Sequence, residues 1–114
     1  MITVLYYKNH YRVGVFGHAE SGEVGHDLVC AAASMLVHTL IAYVKSKDEN
    51  MEADFSEIKD GKVLPGMAVI GCEPDEEEDE VVREVFDAVC NGFALLAKHF
   101  PNNVEYFEMP KDKV

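Results

Sequence analysis

The residues that can exchange a proton or attack a carbonyl gather in one short string, GHAESGEVGHDLVCAAAS at positions 17–34. Cysteine attacks as thiolate, and an unassisted thiol holds little thiolate at neutral pH. A helix N-terminus and a neighbouring histidine each favour the charged form, and the string contains the makings of both. Asp27 is a favoured N-cap type just ahead of an apolar run, which predicts a helix from about 27 to 46. With Asp27 as the cap, Cys30 falls at the third helical position. Backbone N–H groups left free in a first turn favour a thiolate and can hold an oxyanion. Ser34 lies one turn beyond Cys30, so Asp27, Cys30 and Ser34 share a helix face.

His18 precedes Cys30 by twelve residues and closes what reads as a β-strand. The connecting residues 19–26 include Ala19, Ser21, Gly22 and Gly25, a composition that predicts a mobile loop able to fold His18 back towards Cys30 and to close over a substrate. His26 stands next to Asp27 and competes with His18 as the base. Three readings of the residues stay open at this point. In the first, Cys30 is a nucleophile with a histidine base. In the second it is a buried structural cysteine, since free cysteines pack well and three alanines follow it. In the third, His18, His26, Asp27 and Cys30 hold a metal, although their spacing fits no standard zinc pattern.

The elements that must position this junction can be read from periodicity. Residues 2–8 are β-branched and aromatic and predict a strand, Asn9–His10 a turn, and residues 11–18 the returning strand of a hairpin. Gly14 and Gly17 mark a bend or a close backbone approach in that second strand. The helix over 27–46 carries Leu28, Val29, Ala32, Met35, Leu36, Leu40 and Tyr43 on one side, with Ala33, Val37 and Ile41 making much of the rest apolar. A helix so apolar all round is expected between the sheet and a second helix or subunit. Alternation over 51–58 predicts a strand, Asp60-Gly61 a turn, and residues 63–71 the next strand, ending at Cys72. An acidic run, Glu73–Glu80, reads as the solvated start of a second helix reaching His99. Its stripe is Val82, Val85, Phe86, Val89, Phe93 and Leu96, with Cys90 beside it. Residues 104–108 add a last strand. The expectation is a single α+β domain over 1–114 with a mostly antiparallel sheet and two main helices, in the order β-β-α-β-β-α-β.

Ten Lys and Arg against 21 Asp and Glu give a net charge of −11, which argues against direct nucleic-acid binding, because phosphate contacts rest on basic side chains. The same charge suits a basic protein partner. Cys30, Cys72 and Cys90 form no C-x-x-C pair and fit a reducing compartment. With no stretch read as a membrane span or a signal peptide, the expected location is the cytoplasm.

Gly17-His18-Ala19, then Gly25, then Asp27-Leu28-Val29-Cys30-Ala31-Ala32 with Ser34, together resemble the ribosomal-processing cysteine protease family, Prp. The resemblance runs through the whole chain. It implies a catalytic dyad of Cys30 and His18, with Asp27 and Ser34 also required, and a homodimer; no cofactor or metal is expected. It further implies the substrate: the precursor of large-subunit ribosomal protein number twenty-seven, whose short N-terminal extension is cleaved after an apolar, aromatic-containing segment. His26 has no counterpart in that pattern. The rival expectations are a non-catalytic ribosome-associated binding module with a structural Cys30, and a thiol hydrolase of small molecules.

Overall fold

Strand β1 (Ile2–Tyr7) alternates Ile2, Val4 and Tyr6 inward with Thr3, Leu5 and Tyr7 outward, the period-2 pattern of a sheet covered on one face. The computed structural model describes residues 1–17, 24–47, 52–55, 58–59, 62–63 and 67–109. After β1 a single 3-10 turn (Lys8–His10) and Tyr11 lead into β2 (Arg12–Gly17), longer than the two-residue turn expected. Helix α1 (Val24–Lys47) follows, then β3 (Glu52–Phe55), the two-residue strands β4 (Ile58–Lys59) and β5 (Lys62–Val63), β6 (Met67–Gly71), helix α2 (Asp79–His99) and β7 (Val104–Glu108). The strand expected over 63–71 is therefore split. Its first residues pair back across the Asp60-Gly61 signal, with Lys59 opposite Lys62, and its remainder joins the main sheet as β6.

That sheet has five strands in the order β3-β6-β2-β1-β7. The pairs β1–β2, β2–β6 and β3–β6 are antiparallel and β1–β7 is parallel. The fold is thus α+β with a mixed, mostly antiparallel sheet. The parallel pair arises because α2 returns the chain to the end of the sheet where it began: Ile2 aligns with Val104, and the Ile2 N–H donates to the Asn103 carbonyl at 2.8 Å. By the same pairing β2 and β3 run one way and β1, β6 and β7 the other. Each helix reverses the strand before it, so α1 and α2 are antiparallel.

Both helices belong to one core with the inward side chains of the sheet. Tyr6, Val4, Val13, Ile70 and Val104 from strands meet Val29, Leu40 and Val44 of α1 and Phe86, Cys90 and Phe93 of α2. The helices cross where Gly92 of α2 faces Leu36 of α1; a Cβ on Gly92 would sit 2.9 Å from a Leu36 methyl carbon. The stretch Leu28–Ser46 is long and apolar enough by composition to cross a membrane, which corrects the expectation that no stretch approached a span. Its buried side is taken up by the sheet and α2.

Candidate active site

Strand β2 delivers the chain to the site through a residue that has to be glycine. Gly17 pairs with Ile2, has φ of 93°, and a Cβ there would collide with the Met1 carbonyl oxygen. Left-handed backbone of this kind excludes most other residues. The close backbone approach expected at Gly17 is real. At Gly14 the neighbour is instead the Phe16 ring, 2.8 Å from where a Cβ would lie. His18 follows Gly17 in the chain, and His18, Ala19 and Gly22 lie outside the described residues, as does any contact they make.

Helix α1 begins at Val24, three residues before the predicted start. Asp27 is therefore inside the first turn and is not the cap, and Gly25 belongs to the helix instead of the loop. An acidic residue anywhere in a first turn is favoured by the same helix dipole, which is why sequence alone placed the boundary late. The consequence for the chemistry is direct. Cys30 is the seventh residue of α1, not the third, and its own N–H is used within the helix. The free N–H groups lie about 5–9 Å back along the axis at 1.5 Å per residue. The dipole acts chiefly within the terminal turn, so it adds little at Cys30.

The chain has three cysteines, none in a disulfide, and only Cys30 retains partial exposure; Cys72 and Cys90 are buried. Cys30 rests against the edge of the core, with its helix held by Val29, Ala33 and Val37 beneath it. Ser34, one turn on, is exposed. A rigid helix thus presents a thiol and a hydroxyl side by side at the surface. The Cys90 thiol is pushed up to about 12, first by burial and then by Asp87 and Glu108, so it cannot serve as a nucleophile at neutral pH. Within α1, His38 stands about 12 Å from Cys30 along the axis, too far to act as its base. The side chains of the two histidines nearest in sequence, His18 and His26, lie outside the described residues. Three of the four side chains of the alternative metal set, those of His18, His26 and Asp27, lie outside what is described.

One expectation about α1 is corrected by burial. Leu28 and Met35, assigned to the inward side, are 65 % and 64 % exposed. The inward stripe is Val29, Ala33, Val37, Leu40, Ile41 and Val44. From Leu28 to Val44 the sequence has no Asp, Glu, Lys or Arg, and the outward side is marked only by the polar residues Ser34, His38 and Thr39, all exposed.

The family model described as cysteine protease Prp matches residues 1–105. Among solved structures the chain is similar to SMU.848 from Streptococcus mutans, with 31% identity over 95% of this chain and 91% of that one and a TM-score of 0.72. It also shares its fold with the essential ribosomal processing protease Prp from S. aureus in complex with a covalently linked product peptide. There the identity is 23%, the coverage 96% of this chain and 100% of that one, and the TM-score 0.68. The same S. aureus protease in complex with a substrate peptide gives 19% identity, 95% and 97% coverage and a TM-score of 0.65. No curated protein matches. With a family match that spans nearly every element from β1 into β7, including the helix that carries the half-buried Cys30 thiol, this chain belongs to the cysteine protease Prp family and is a cysteine protease.

Proposed function

We propose that this protease removes the short N-terminal extension of the precursor of large-subunit ribosomal protein number twenty-seven, using Cys30 as nucleophile and His18 as base. The observation that carries the reading is the selective exposure of Cys30, beside Ser34, on a helix whose other face is fixed in the core. The S. aureus protein of the same fold is described as a ribosomal processing protease and holds peptide, which supports a ribosomal precursor as the substrate here.

In this mechanism His18 takes the proton from the Cys30 thiol as Sγ attacks the scissile carbonyl carbon. The tetrahedral oxyanion collapses, the C–N bond breaks, and His18 passes the proton to the departing amine. Water, deprotonated by the same histidine, then adds to the thioester carbonyl and releases the acid product and free thiol. Ser34 is placed to hydrogen-bond beside the thiol or the substrate, and Asp27 shapes the first turn leading to Cys30. Because Cys30 sits beyond the free amides of α1, the oxyanion is held by donors outside that turn. The protease works as a homodimer in the cytoplasm, without cofactor or metal, and its charge of −11 draws in the basic precursor.

The test is incubation with the full precursor from the same organism, followed by N-terminal sequencing of the product. Loss of the extension at a single bond after the apolar segment is the expected result, with affinity weakening as salt rises. Cleavage of simple esters with the precursor left intact would contradict the substrate assignment.

A further inference from the structure

The direction in which Cys30 faces follows from the helix contact on the opposite flank of α1. The buried side chains Val29, Ala33, Val37, Leu40 and Val44 span an arc of about 80° at about 100° per residue, with Ala33 at its middle. Leu36, which meets Gly92 of α2, lies about 60° to one side of Ala33, and Cys30 lies about 60° to the other. Ser34 is about 100° round on the Cys30 side. The thiol and the hydroxyl are therefore on the flank turned away from α2, with the thiol directed obliquely towards the sheet. Contacts place α1 over β6 and α2 over β7. Beyond β6, on the side away from β2, is β3, which ends the sheet among the described residues. The sheet edge on the Cys30 side is thus the outer backbone edge of β3, while the β7 edge lies across the molecule under α2.

The ends of the elements agree with this. Phe55 of β3 stands opposite Ala68, and Phe16 of β2 stands opposite Met67, so β3 finishes at the end where β2 leaves the sheet. Helix α1 begins at that end and carries Cys30 in its second turn.

We infer that an extended stretch of the substrate adds to the sheet along the outer edge of β3, as a further strand beside Glu52–Phe55, and is held there next to the Cys30–Ser34 flank. The inference rests on the proteolytic reading above and says how that site grips its peptide. An edge strand leaves the N–H and C=O of every second residue unpaired, and an extended peptide can satisfy them with its own backbone. Two of the four residues of β3 turn these groups outward. The core fixes α1 through its buried side, so the thiol cannot travel along the peptide to find its bond. Main-chain pairing supplies the register instead, spacing the substrate residues at about 3.3 Å and presenting one carbonyl to Sγ.

Steady-state cleavage of the precursor junction peptide, with one amide at a time replaced by an ester, tests this. Each ester removes one N–H. KM should rise about five- to tenfold at every second position along the paired stretch and stay near the parent value between them. Two variants of the protein check the edge from the other side, since neighbouring residues of a strand direct their N–H groups to opposite edges. Of Ala53→Pro and Asp54→Pro, one loses an N–H bonded to β6 and should melt lower. The other loses an outward N–H and should keep its melting temperature and its rate of Cys30 alkylation, while KM rises about fivefold or more. Ester effects without the two-residue period would overturn the inference and leave the protease reading intact, as would an unchanged KM in the variant that keeps its melting temperature. So would a proline variant whose sedimentation mass changes while KM does not, because the edge would then belong to a second copy. A parent that leaves the junction peptide uncut would overturn the substrate reading and this inference together.

Discussion

At the scale of single residues, the account depends on how differently three cysteines are placed. Cys72 and Cys90 could be read as structural from the sequence because they fall at a strand end and beside an apolar stripe, and both are buried. Cys30 could be read as special from its neighbours in the string, although nothing in the string told how far into the helix it lay. Iodoacetamide at neutral pH is expected to modify Cys30 and spare Cys72 and Cys90 until the protein unfolds. Peptide mass spectrometry of a timed reaction measures this, and equal labelling of all three would contradict the burial. Gly17, next to His18, gives a second prediction. Replacement by alanine meets the Met1 carbonyl and a φ of 93°, and should cost about 1–3 kcal/mol of stability, read from urea unfolding. Peptidase activity should fall with it, because the displaced strand end leads into His18, the proposed base.

At the scale of elements, α1 shows where sequence reading succeeds and where it stops. Its existence and its end near residue 46 follow from a long apolar run, and the structure ends it at Lys47. Its start and its inward face did not follow. Asp27 satisfies both a cap and a first-turn position, and with only Ser34, His38 and Thr39 to mark the outward side, the apolar residues around them left the phase of the helix weakly specified. Helix α2 was legible for the opposite reason: Arg83, Glu84 and Asp87 mark the outer side of Val82, Phe86, Val89 and Phe93, all four buried. The contact between the helices depends on Gly92, whose Cβ position is occupied by Leu36. Gly92→Ile should push the helices apart and lower stability by about 1–3 kcal/mol. Gly92→Ala should change it far less, because the Leu36 end can shift and alanine is the better helix former. Thermal melts of the pair measure the contrast. The β1–β2 connection holds Tyr11 at φ 51°, a conformation costly for a bulky residue. Arg83 steadies it by donating to the Tyr11 hydroxyl at 2.9 Å, with the guanidinium 5.1 Å from the ring centre. The sequence showed only that a turn was there, since this support comes from a helix seventy residues away.

At the scale of the whole molecule, the α+β class and the order of the main elements were legible, while the parallel β1–β7 pair was not. Hairpins are local and leave turn signals, but the return of the last strand to the first is set by how α2 packs on the sheet. That packing also buries titratable groups near one end of the core. The Tyr6 hydroxyl donates to Asp87 at 2.7 Å and that of Tyr106 to Glu108 at 3.1 Å. Burial above all raises both phenols, and it pushes the Cys90 thiol up to about 12. The folded protein keeps these protons at a pH where the unfolded chain loses them. The stability linked to them is therefore complete below about 9 and falls as pH rises from there towards 12. Urea midpoints measured at pH 7, 9 and 10.5 should be level over the first interval and drop over the second, with a smaller drop in Cys90→Val.

The central claim is that Cys30 and His18 together cut the peptide bond, and steady-state hydrolysis of a peptide spanning the precursor junction tests it most directly. The parent should turn the peptide over. Cys30→Ala and His18→Ala should each lose activity by at least about 10³-fold in kcat, with melting temperatures near that of the parent, and His26→Ala should retain most of its activity. Turnover by Cys30→Ala at the parental rate would contradict the account, and an inactive His26→Ala beside an active His18→Ala would assign the base to His26.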